Sequence, residues 1–182
     1  MPSSALYQPK YASSHALVIG INKYKHVGPL IQACNDAQAV AKVLTSRFDF
    51  PEGNVELLID GKATRKAIMQ SFFRFANTEI VKPDDRLIIF FAGHGHTAPG
   101  RRGEAGFLVP VDGDPADLSS LIRWDDFARN ADLISAKHIL FIMDACYGGL
   151  LLTQTTIPPG SMRLLKDMLQ RHAQLLSKIN WW

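Results

Sequence analysis

His94 and Cys146 are the residues of this 182-residue chain whose types and surroundings could do covalent chemistry together. Each follows a short apolar run. Arg86–Phe91 (RLIIFF) leads into Ala92-Gly93-His94-Gly95-His96, and His138–Met143 (HILFIM) leads into Asp144-Ala145-Cys146-Tyr147-Gly148-Gly149. An imidazole within reach of a thiol can take its proton and leave a nucleophilic thiolate. The glycines suit that use: with small neighbours, the backbone N–H groups of Gly95 and Cys146 could point at one carbonyl oxygen and stabilise the oxyanion formed on attack.

Such a pairing needs elements that bring the two runs side by side. Besides RLIIFF and HILFIM, the runs His15–Ile21 (HALVIGI) and Val55–Ile59 (VELLI) have strand character, being short and rich in β-branched and apolar residues. The first, third and fourth in chain order are apolar at nearly every position, as central parallel strands covered on both faces are. Between them lie helical patterns over Asn35–Phe48 and over Thr64–Asn77, with Thr64 as the expected cap of the second, and a shorter helix is expected over Trp124–Ala131. Alternating strands and helices imply an open α/β sheet, and such sheets hold their sites beyond the carboxyl ends of the strands.

Composition bounds the alternatives. With 47% hydrophobic and 20% charged residues the chain suits one globular core, and its net charge of +3 is spread along the sequence, so nucleic acid is not an expected partner. The longest apolar stretches, around Leu87–Ala92 and Ile139–Met143, are too short to span a bilayer, and Met1–Tyr11 lacks the apolar middle of a secretory signal. A cytoplasmic location without membrane attachment is the expectation. Cys34 and Cys146, the only cysteines, make no disulfide framework, leaving packing, metal ligation or nucleophilic attack as their uses.

At this point the chain resembles a known family. His and Cys at the ends of apolar strands, 52 residues apart from 94 to 146, and the stretch Ala145-Cys146-Tyr147-Gly148 match the caspase pattern. The chain is most similar to the metacaspase and orthocaspase side of the clan CD cysteine peptidases (peptidase family C14). The segments ALVIGINKY, CNDA and GFLVPVDGD share in the likeness, which runs from about Ala16 to Leu152. The resemblance implies a caspase-like three-layer α/β/α sandwich with a mainly parallel sheet. It implies His94 as general base, Cys146 as nucleophile, the amides of Gly95 and Cys146 as oxyanion hole, and a protein or peptide as substrate. Caspases that cleave after aspartate carry Gln two residues before the cysteine. Here Asp144 occupies that place, and in metacaspase-like relatives this carboxylate and a second, here Asp36, line a pocket for Arg or Lys. Cleavage after Arg or Lys is therefore expected. Calcium activates many metacaspases, which makes it a candidate activator, and no other cofactor is implied.

The family ordinarily continues after the cysteine into a small-subunit half, and no such strands are visible here. The expected organisation is an N-terminal extension (1–14), a catalytic domain (15–152), and a linker with a C-terminal helix from Met162 to about Lys178 (153–182), ending in Trp181-Trp182. A missing half or a partner chain is the candidate complement to the sheet.

Plainer readings stand beside these. A cysteine ending a buried strand is commonly a core residue, and Cys34 is expected to pack at the start of its helix. His94 and His96 without nearby carboxylates fall short of a zinc set, so no metal site is expected, and no phosphate-loop pattern is present. Arg101-Arg102-Gly103-Glu104 is expected to be a solvated loop. Asp112, Asp114 and Asp117 are expected to be solvated turn residues, with an oxygen-ligand calcium site as the less favoured alternative. The alternative functions are a catalytically silent caspase-like module that acts by binding proteins, and a hydrolase or transferase of small thioesters or amides using the same two residues.

Overall fold

A computed structural model describes residues 10–145 apart from residue 102. Cys146, the expected helix Met162–Lys178 and Trp181-Trp182 lie outside the described residues. In chain order the elements are β1 (Ser14–Gly20), α1 (Ala33–Arg47), β2 (Val55–Ile59), α2 (Arg65–Arg74), β3 (Arg86–Ala92), β4 (Gly95–Gly100), β5 (Gly103–Leu108), β6 (Ile122–Arg123), α3 (Trp124–Asn130) and β7 (His138–Asp144).

The four apolar runs form one parallel sheet in the order β2-β1-β3-β7. All of β1 is buried, as an apolar strand between two neighbours should be. Side chains alternate between the two faces of a strand, and each face here is covered by different helices. On one face Ala16, Val18, Phe90 and Ala92 pack against Ala33, Ala37 and Leu44 of α1. On the other, Phe72 of α2 stacks on Phe127 of α3 at 4.4 Å, and Phe141 of β7 meets Phe127 and Trp124 edge-on at 6.4 and 5.4 Å. The result is the three-layer α/β/α sandwich. As expected, the Thr64 hydroxyl caps α2 by accepting from the Ala67 amide at 3.1 Å.

Two expectations need correction. β7 is not buried on both faces: it is the last strand of the described sheet, and Leu140 and Ile142 are 37% and 39% exposed. The segment expected to be a solvated loop is solvent-exposed at Arg101, Gly103 and Glu104, but Gly103 and Glu104 belong to strand β5 of an antiparallel hairpin. β4 pairs with β5 and β5 with β6, and Gly103, at φ 114°, opens β5 after the exposed Arg101. No described helix is long and apolar enough to cross a membrane.

Candidate active site

The parallel register decides what meets at the carboxyl edge of the sheet. Ala92, the last residue of β3, pairs with Asp144, the last of β7, and the Gly93 amide extends the ladder by donating to the Asp144 carbonyl at 3.2 Å. His94 stands two residues beyond its strand end, and Cys146 follows Asp144 by the same count in sequence.

His94 is held on four sides. Its amide donates to the Tyr24 hydroxyl at 2.8 Å, its carbonyl accepts from the Val109 amide at 3.0 Å, and its ring lies 4.9 Å from the Tyr24 ring. The fourth contact sets its chemistry. Nε2 stands 2.9 Å from the Gly28 carbonyl oxygen, which can only accept, so in the neutral ring Nε2 carries the hydrogen and Nδ1 the lone pair.

Tyr24 and Gly28 belong to the loop between β1 and α1, and Asp60, just after β2, ties that loop down. Its carboxylate accepts from the amides of Asn22 at 2.7 Å and Lys23 at 2.9 Å, and from the Cys34 thiol at 3.3 Å. Burial would raise the Asp60 pKa, but the amides of Lys23 and Asn22 and the Cys34 thiol outweigh it and hold the carboxyl below its ordinary value. Asp60 sits at φ 46°, a left-handed backbone that Asp tolerates better than most residues. The loop closes on itself through Leu30 N–H to Asn22 O at 2.8 Å and Cys34 N–H to Asn22 Oδ1 at 3.2 Å.

Residues 13–176 match the caspase domain (peptidase family C14). The chain belongs to the caspase domain family. Its relatives include metacaspase-7 of Arabidopsis thaliana, 32% identical over 75% of this chain and 35% of that protein, and metacaspase-6 of the same plant, 32% identical over 74% and 38%. Metacaspase-1A of Aspergillus oryzae is 28% identical over 69% of this chain and 27% of its own length. This caspase domain thus spans about a third of the length of the curated relatives it matches. A solved protein from Geobacter sulfurreducens shares the fold, with a TM-score of 0.62 at 19% identity over 93% of this chain and 67% of that one.

The other sequence-derived candidates of this caspase domain lie around the same edge. Gly95 opens β4 opposite Leu108. Asp36 is exposed in the first turn of α1 and Asp144 is exposed at the end of β7, and among the described residues neither carboxylate forms an ion pair. Cys146 lies outside the described residues. His96 sits in β4 beside Phe107, with ring centroids 6.4 Å apart.

Cys34 packs as expected at the start of α1, where burial first, and then the Asp60 carboxylate, raise its pKa above the ordinary thiol value. In the aspartate segment each carboxylate accepts a backbone amide. Asp112 caps the Arg65 amide at 2.8 Å, Asp114 bonds the Ala116 amide at 2.9 Å, and Asp117 holds the Ser119 amide and hydroxyl at 3.0 and 2.7 Å. The Asp114 and Asp117 carboxylates are turned to their own local backbone and Asp112 to the start of α2, and among the described residues no three His, Cys, Asp or Glu side chains stand where they could share an ion.

Tyr24, Gly28 and Asp60 are the site residues that sequence reasoning missed. The first lies in the ALVIGINKY segment, but nothing in that segment's residue types announces a contact with a histidine 70 positions on.

Proposed function

We propose that this chain carries the catalytic part of a cysteine endopeptidase in which His94 and Cys146 act as a dyad. The observation that supports it best is the β3–β7 register, Ala92 beside Asp144, with His94 and Cys146 each two residues further along. His94 Nδ1 takes the thiol proton, and Sγ attacks the carbonyl carbon of the scissile bond. The amides of Gly95 and Cys146 receive the oxyanion, and the tetrahedral intermediate collapses as the imidazolium returns its proton to the leaving amine. Water, deprotonated by the same imidazole, then hydrolyses the acyl-enzyme and frees the thiol. Exposed and without cationic partners among the described residues, Asp36 and Asp144 are suited to an Arg or Lys side chain.

A fluorogenic peptide ending in Arg, compared with one ending in Asp, with and without calcium, tests both parts. The Arg peptide is expected to be cut, and Cys146→Ala to lower turnover by roughly a thousandfold or more. Faster cleavage of the Asp peptide would remove the basic specificity. The second reading is a module that binds peptides without turning them over. Labelling of Cys146 by a peptidyl electrophile without turnover of either substrate would mean a competent nucleophile in an incomplete cleft. Neither labelling nor turnover by folded protein would favour the binding module.

A further inference from the structure

A general base needs more than a lone pair: the nitrogen that receives the proton must be the unprotonated one, and the ring must be held at the right angle. Two groups on one loop do this for His94, the Gly28 carbonyl at Nε2 and the Tyr24 side chain at the backbone and the ring face. They are not independent. Gly28 is four residues from Tyr24 on the same loop, so a shift of Tyr24 can be passed to the carbonyl at Nε2.

We propose that Tyr24 is a positioning residue for His94, its hydroxyl pinning the β1–α1 loop to the His94 amide so that the Gly28 carbonyl holds the ring in the Nε2-protonated form. The inference rests on the reading of His94 as the base. The packing is close: a Cβ built on Gly93 would stand 2.6 Å from the Tyr24 hydroxyl oxygen, so the strand end leaves room for the phenol only because residue 93 has no side chain. Burial is the largest cause that pushes the Tyr24 phenol up to about 12, so near neutrality it remains an uncharged hydroxyl that accepts from the amide. Its ring also packs with Val27 against the cluster of Phe107, Val109 and Leu121, the cluster whose Val109 amide binds the His94 carbonyl. Behind it, Asp60 anchors the loop at Asn22 and Lys23. Without the hydroxyl, the loop and the Gly28 carbonyl are free to shift, and His94 gains access to the tautomer with hydrogen on Nδ1. In that form the proton already sits on the nitrogen that must receive one.

The test uses the whole 182-residue chain, its Tyr24→Phe and His94→Ala variants, and a peptidyl electrophile ending in Arg, with labelling followed on the Cys146 peptide by mass spectrometry. Phe keeps the ring contacts, so the variant is expected to fold. Tyr24→Phe is expected to lower the maximal labelling rate about tenfold, a loss typical of a misplaced catalytic group, while the inhibitor's half-saturating concentration changes less than about twofold. Long-range proton–nitrogen correlation spectra are expected to show His94 of the wild type protonated at Nε2 alone, and a second, Nδ1-protonated population in Tyr24→Phe. Packing alone would not move the tautomer. Wild-type labelling and a wild-type tautomer in Tyr24→Phe, with labelling abolished in His94→Ala, would overturn the inference and leave the dyad standing. Wild-type labelling in His94→Ala would overturn both.

Discussion

Cys34 and Asp60 form a side-chain pair that anchors the loop carrying Tyr24 and Gly28. Cys34 is buried, and its thiol donates to the Asp60 carboxylate and the Gly20 carbonyl at 3.3 and 3.4 Å, which keeps it protonated and unreactive. Asp60 gains from the same contact and from the two loop amides. Its folded pKa lies below the ordinary 3.8, so its contribution to stability is fully present above that value and is lost as pH falls through the depressed one. Asn at this position tolerates the same left-handed backbone and can still accept hydrogen bonds, but without the charge. Asp60→Asn is therefore expected to destabilise the fold by about 1 kcal/mol at pH 7, the usual margin of charge-assisted over neutral hydrogen bonds. Denaturant unfolding of both proteins at pH 7 and near pH 3 checks this, since the gap should narrow in acid. A gap independent of pH would mean that the carboxylate charge is not what holds the loop.

The loop, in turn, depends on how closely α1 lies on β1. A Cβ at Gly20 would stand 2.6 Å from both the Ala33 carbonyl oxygen and the Ala37 Cβ, so the end of β1 touches the first turns of the helix that carries Asp36. Neither neighbour is a flexible side chain that could swing away. Gly20→Ala must push strand and helix apart, at a cost of about 1–3 kcal/mol, the range of overpacking. A lowered urea midpoint with unchanged slope would show it, and an unchanged midpoint would mean that the contact relaxes freely. This is also the scale at which the sequence was most readable. The four parallel strands and three helices carry enough apolar and β-branched residues to announce themselves, with no end displaced by more than three residues. The β4–β5 hairpin does not, because GHTAPG and GEAGFL are held by backbone pairing with little apolar pattern to reveal it. The place of His94 just beyond β3 was legible because the apolar run before it marks where the strand stops. Tyr24 and Gly28 were not, because they act through a hydroxyl and a backbone carbonyl on a residue 70 and 66 positions away.

At the scale of the whole fold, the outer part of the sheet is the feature that no other described element covers. Leu140 and Ile142 of β7 are in register with Ile88 and Phe90, which puts them on the face that packs against α1. That helix lies over β2, β1 and β3, and the two β7 side chains beyond it remain more than a third exposed. β7 is also the edge of the described sheet, and an apolar edge strand invites pairing with another chain. The exposed apolar strip on this edge is therefore expected to drive self-association with rising concentration. Ile142→Lys places a charge on that strip, where a partner strand or helix would have to bury it, and should shift the molecule toward monomer. Because the side chain is exposed, the same change should alter unfolding free energy by no more than about 0.5 kcal/mol. Sedimentation velocity across a concentration series separates the outcomes. Association weakened by the lysine locates the contact on β7, whereas association that the lysine leaves unchanged places it elsewhere on the domain.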